Sequence, residues 1–90
     1  MNQTEKINYL IKEYEKGTYR TETFCDQFEY IYFREKDGSI PDGLYNTLKD
    51  YAEIFGRFSP CEEDIKTGAL FDETKIQNEF NKLLKIWNDR

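Results

Sequence analysis

Four stretches of this chain repeat their apolar residues at helical spacing, and no stretch of useful length alternates as a strand would. Ile7, Leu10, Ile11 and Tyr14 form the first stripe, and Phe24, Phe28, Ile31 and Tyr32 the second. Leu44, Leu48, Tyr51, Ala52 and Phe55 form the third, and Ile76, Phe80, Leu83, Leu84 and Trp87 the fourth. The punctuation agrees: Gly17 stops the first helix, Thr21 or Thr23 can cap the second, Asp37-Gly38 ends it, and Asp72 caps the fourth. Between the third and fourth stripes, Ser59-Pro60-Cys61-Glu62 reads as a cap, a first-position proline and a capping-box carboxylate. Thr67-Gly68 would close that helix early. The expected fold is all-α, an antiparallel four-helix bundle with a short extra helix between helices 3 and 4, and residues 1–90 forming a single helical domain.

Ninety residues hold one core and no separate cofactor module. Fifteen of them are aromatic, which argues for a packed interior although a third of the chain is charged. There is no histidine, so Ser–His and Cys–His nucleophiles, histidine bases and histidine-ligated metals are excluded together. Cys25 and Cys61 stand 36 residues apart without a CxxC and read as free thiols of a reducing, cytoplasmic environment. No signal peptide or membrane span is expected, because no hydrophobic run is uninterrupted for long enough.

The formal charge is −5, and it is unevenly placed. Residues 1–20 carry +1 and residues 74–90 carry +2, whereas residues 21–41 carry −3 and residues 42–73 carry −5. On the wheel of the third stripe, Asp50 and Glu53 fall opposite the apolar arc and should face outward. This acid can be a solvated face that also serves the helix caps, or a surface for a strongly basic partner, with clustered carboxylates steering the encounter. Net acidity argues against direct contact with nucleic acid.

The remaining chemistry is thin. Glu62, Glu63 and Asp64 could be read as acid–base carboxylates, but a bundle of this size offers little cleft to separate their pKa values. The order of Asp37-Gly38-Ser39-Ile40-Pro41-Asp42 is wrong for a calcium loop. No enzyme activity, metal or cofactor is expected. Gly56, inside the third stripe, reads as a close-packing point. Tyr30 and Phe33 lie off the second stripe, either as a second packing face or as exposed anchors for a partner.

The order of features resembles the immunity proteins of the colicin D type, which also occur with contact-dependent growth-inhibition toxins. The resemblance spans roughly residues 5–88. It rests on Lys16-Gly17, the Thr-rich approach to Phe24 and Phe28, Arg57-Phe58-Ser59-Pro60 with its acidic follow-on, and Leu70-Phe71-Asp72-Glu73. It implies a four-helix protein that binds a cognate basic tRNA-cleaving toxin domain one to one and covers its active site, with an acidic surface replacing the tRNA phosphates. By the resemblance, Asp50 and the run Glu62, Glu63, Asp64 would be contact residues. Glu53, Asp72 and Glu73 are added to that set from the charge map alone. The alternative is a small helical regulatory or adaptor domain that binds some other protein.

Overall fold

In the computed structural model the described residues are 1–59, 68 and 70–89. They contain four helices, α1 (Gln3–Glu15), α2 (Thr21–Arg34), α3 (Asp42–Phe55) and α4 (Glu73–Asn88), and among them there is no strand. The fold class expected from the stripes is therefore all-α as read. The expected short helix after Ser59 lies outside the described residues.

Each helix starts for a local reason. Asn2 caps α1: its side-chain oxygen accepts from the Glu5 N–H at 2.8 Å, and Glu5 reaches back to the Asn2 N–H at 3.3 Å. The two other free N–H groups of that first turn go to the α2–α3 loop, Gln3 to Asp37 at 2.9 Å and Thr4 to Ser39 Oγ at 3.1 Å. At its far end, Gly17 takes a φ of 85°, which lets the Thr18 N–H return to the Glu13 carbonyl at 2.9 Å. Asp72 caps α4 as expected, accepting from the Lys75 N–H at 2.9 Å. The start of α2 differs from expectation. Arg20, not a threonine, occupies the cap, and its guanidinium has no acceptor to offer a first-turn N–H; Thr21 is already the first helical residue, and its hydroxyl bonds Tyr14 and Glu73.

The four stripes bury one continuous core. Phe24, with no exposed surface, is its hub: its ring stacks on Tyr14 of α1 at 4.4 Å and meets Phe55 of α3 and Phe80 of α4 edge-on at 5.2 Å each. One side chain of α2 thus touches an aromatic from each other helix. Helix α1 packs on α2, α2 on α3 and α3 on α4. Trp87 returns α4 to α1, donating its indole N–H to Asn8 Oδ1 at 3.0 Å.

Among the described residues the buried polar side chains are tied down, apart from one amide oxygen. Gln3, buried at the start of α1, donates its side-chain amide to the carbonyls of Ile31 and Tyr32 at the end of α2, at 3.1 and 3.2 Å. Its amide oxygen has no hydrogen-bond partner among the described residues. Because the Ile31 carbonyl also accepts from Glu35 N–H and the Tyr32 carbonyl from the Tyr45 hydroxyl, Gln3→Ala should leave neither orphaned. The expected loss is about 1–2 kcal/mol, read as a lowered urea midpoint. An unchanged midpoint would show that Glu35 and Tyr45 alone hold the end of α2. Glu79 of α4, 7% exposed, is bound by Lys75 at 3.0 Å and Lys82 at 3.2 Å. Burial pushes its carboxyl upward, but the hydrogen bonds and charges of the two lysines outweigh it, so the net shift is below the ordinary carboxylate range.

Candidate functional site

Helix α3 turns Leu48, Ala52 and Phe55 into the core. A residue two positions on from a buried one sits about 200° around the helix, which leaves Asp50 outward, and Glu53 follows on the same side. Both are exposed, and among the described residues neither forms an ion pair. They share a shallow depression of about 230 Å³ with Ile54, Arg57 and Phe71. The floor of that depression is pinned by backbone: Ser59 N–H donates to the Phe71 carbonyl at 3.0 Å and Phe71 N–H to the Arg57 carbonyl at 2.8 Å. The backbones of Arg57, Ser59 and Phe71 are thereby held together. The expected contact carboxylates of Glu62, Glu63 and Asp64 lie outside the described residues. The field of the α3 acids reaches inward as well. Burial pushes the Tyr32 phenol up to about 12, with Tyr45 and then the Glu53 and Asp50 carboxylates adding to it.

Asp72 and Glu73 are exposed too, but each already has a partner within the chain. Asp72 serves as the α4 cap, and Glu73 accepts the Thr21 hydroxyl at 2.6 Å, which in turn is bonded to the Tyr14 hydroxyl at 2.8 Å. With the Thr21 proton given to Glu73, the Tyr14 hydroxyl is the donor of that second bond. The chain Tyr14–Thr21–Glu73 lies in a groove of about 480 Å³ between the end of α1, the start of α2 and α4. Of the seven expected contact residues, four are described. Asp50 and Glu53 stand together and form no ion pair among the described residues, whereas Asp72 and Glu73 each accept a hydrogen bond within the chain.

Tyr30 and Phe33 do not form a second packing face. They are 56% and 48% exposed, and with Met1 and Tyr9 they are the large apolar side chains exposed among the described residues. Together with Asp26, Glu29 and Arg34 they line a groove of about 370 Å³ on the outer side of α2. Gly56, read as a close-packing point, marks where this groove meets α3. A β-carbon there would come within 2.9 Å of the Glu29 carboxyl group, so the bare glycine leaves room for that carboxylate against the end of α3. The signal for this surface was present in the sequence as two aromatics off the stripe, but exposure depended on which helices flanked α2.

Cys25 is a free thiol buried on the inner side of α2, and Cys61 lies outside the described residues. Burial, with the nearby Asp26 and Glu29 carboxylates adding to it, pushes the Cys25 thiol up to about 12. Native protein treated with iodoacetamide at pH 8 should therefore leave Cys25 unmodified, and denatured protein should take the label there, both read by peptide mass mapping. Rapid labelling of the native protein would mean that α2 opens far more often than its packing allows. Among the described residues no three His, Cys, Asp or Glu side chains gather as a metal site would require, and no helix is long and apolar enough to cross a membrane. Comparison with family models, curated proteins and solved structures gives no match to this chain.

Proposed function

We propose that this protein is an immunity protein: a cytoplasmic, antiparallel four-helix bundle that binds a cognate tRNA-cleaving toxin domain one to one and occludes its active site. Its acidic surface takes the place of the nucleic-acid phosphates against a basic catalytic cleft. The observation that carries the reading is the pair Asp50 and Glu53, exposed side by side on α3 without an ion-pair partner among the described residues. An acidic domain that only needed solvation would lose little by pairing such groups with its own lysines, as Glu79 does on α4. Unneutralised carboxylates on one face instead raise the local potential that attracts a cationic partner.

The end-to-end contacts support the antiparallel arrangement. The start of α1 meets the end of α2 through Gln3, and the end of α1 meets the start of α2 through Tyr14 and Phe24. The start of α3 meets the end of α2 through Tyr45 and Tyr32, whose rings stack at 4.5 Å. The chain has no histidine, the commonest general base, and a protein that acts by stoichiometric binding needs none.

The test is co-expression with the toxin nuclease domain encoded beside this gene. Growth should be rescued by the wild-type chain, and purified chain should suppress tRNA cleavage at a one-to-one ratio. Rescue absent at full expression, or suppression that needs a large excess, would remove the immunity assignment and leave the adaptor reading.

A further inference from the structure

We infer that the outer groove of α2 is a second part of the contact surface, in which Tyr30 and Phe33 anchor an apolar side chain of the nuclease domain and Asp26 and Glu29 receive a lysine or arginine beside it. The inference rests on the function proposed above and adds the side chains that hold the complex once it has formed. It starts from spacing. Asp26 precedes Tyr30 by four residues and Glu29 precedes Phe33 by four, so a carboxylate and a ring stand one above the other twice on the same side of α2. A long basic side chain fits such a pair, because its aliphatic stem lies on the ring while its charged head reaches the carboxylate.

The structure makes these groups available. Both rings are about half exposed and line one groove with both carboxylates. Among the described residues neither Asp26 nor Glu29 forms an ion pair. Phe33 rests edge-on against Tyr32 at 4.9 Å, which limits how far its ring can move and lowers the entropy lost on binding. Arg34 occupies the remaining side of the groove and favours entry of the partner's cation from the Asp26 and Glu29 side. Glu29 carries the acid of this groove to the end of α3, where its carboxyl group lies against Gly56. Charge complementarity therefore selects the same basic partner for both parts.

The two parts carry different kinetic work. Exposed carboxylates act at a distance and set the association rate, whereas desolvated aromatic anchors act only in contact and set the dissociation rate. The experiment measures binding of the full-length chain to a catalytically inactivated form of the neighbouring nuclease domain by surface plasmon resonance. Tyr30→Ala and Phe33→Ala should each speed dissociation by about tenfold or more, with association changed by less than about twofold at any salt concentration. Tyr30→Phe should restore most of the lifetime. Asp26→Lys serves as a second variant if either alanine form loses helicity by circular dichroism, and it too should weaken the complex.

Dissociation rates equal to wild type in all these variants would overturn the inference while leaving the immunity reading intact. Failure of the wild-type chain to bind at all would overturn the immunity reading and this inference with it. A wild-type dimer that becomes monomeric when Tyr30 and Phe33 are changed to serine would show that a second copy of the chain covers this face, which would also overturn it.

Discussion

Phe24→Ala should destabilise the protein by about 3–5 kcal/mol, the largest effect expected of any single truncation among the described residues. The ring is wholly buried and touches Tyr14, Phe28, Phe55 and Phe80, so its removal opens a cavity walled by all four helices. Those walls are themselves aromatic and cannot collapse inward without breaking their edge-on contacts with one another, such as Phe28 on Phe55 at 5.0 Å. A domain of this size has a total stability of roughly 5–10 kcal/mol, so the variant should sit close to its unfolding threshold at 37 °C. Trp87→Ala belongs to the same class: the indole is 2% exposed and its loss also leaves Asn8 without that donor. Its cost should fall at the lower end of the range, because Trp87 lies in the last turn of α4, where fraying can relieve the cavity. Urea denaturation of both variants checks the order. A Phe24 variant within about 1 kcal/mol of wild type would mean that the core is not organised around that ring.

Reversing the α3 acids should have the largest effect on function. The double change Asp50→Lys and Glu53→Lys replaces two exposed carboxylates by two ammonium groups, a swing of four charges on one face. Association with a basic nuclease domain should slow by about tenfold or more at low salt. Stability should change by no more than about 0.5 kcal/mol per site, since both positions are exposed and neither caps a helix. Because exposed charges are screened over about 8 Å at physiological salt, the wild-type rate should fall as salt rises and approach that of the variant. Stopped-flow association measured at low and high salt for both proteins decides the matter. Rates that coincide at every salt concentration would refute phosphate imitation and shift the weight of binding to Tyr30 and Phe33.

The sequence by itself determined where the four described helices lie, where α1 ends and α4 begins, and the stripes that build the core, though not the burial of Cys25 and Ile40 nor the partial exposure of Tyr14, Leu44, Tyr51 and Leu84. These are near-neighbour properties: a stripe at 3.6-residue spacing, an Asp cap and a glycine stop act within a few residues of themselves. The outward placement of Asp50 and Glu53 was legible for the same reason, since a wheel position follows from the buried stripe on the same helix. What only the tertiary structure decided are relations across helices. Thr21 looked like a cap and instead bridges Tyr14 to Glu73, 52 residues away, because the start of α4 arrives within hydrogen-bond distance of its hydroxyl. That contact is also why Glu73, a candidate for partner binding on charge alone, is occupied inside the chain. Gln3 reads as an ordinary polar residue at a helix start, yet it is buried because the end of α2 supplies two carbonyls to its amide. Tyr30 and Phe33 could have packed or pointed outward, and the packing of α2 between α1 and α3 left their side of the helix uncovered. A single helix specifies which of its faces is apolar, but only the arrangement of its neighbours determines how many of its faces are covered.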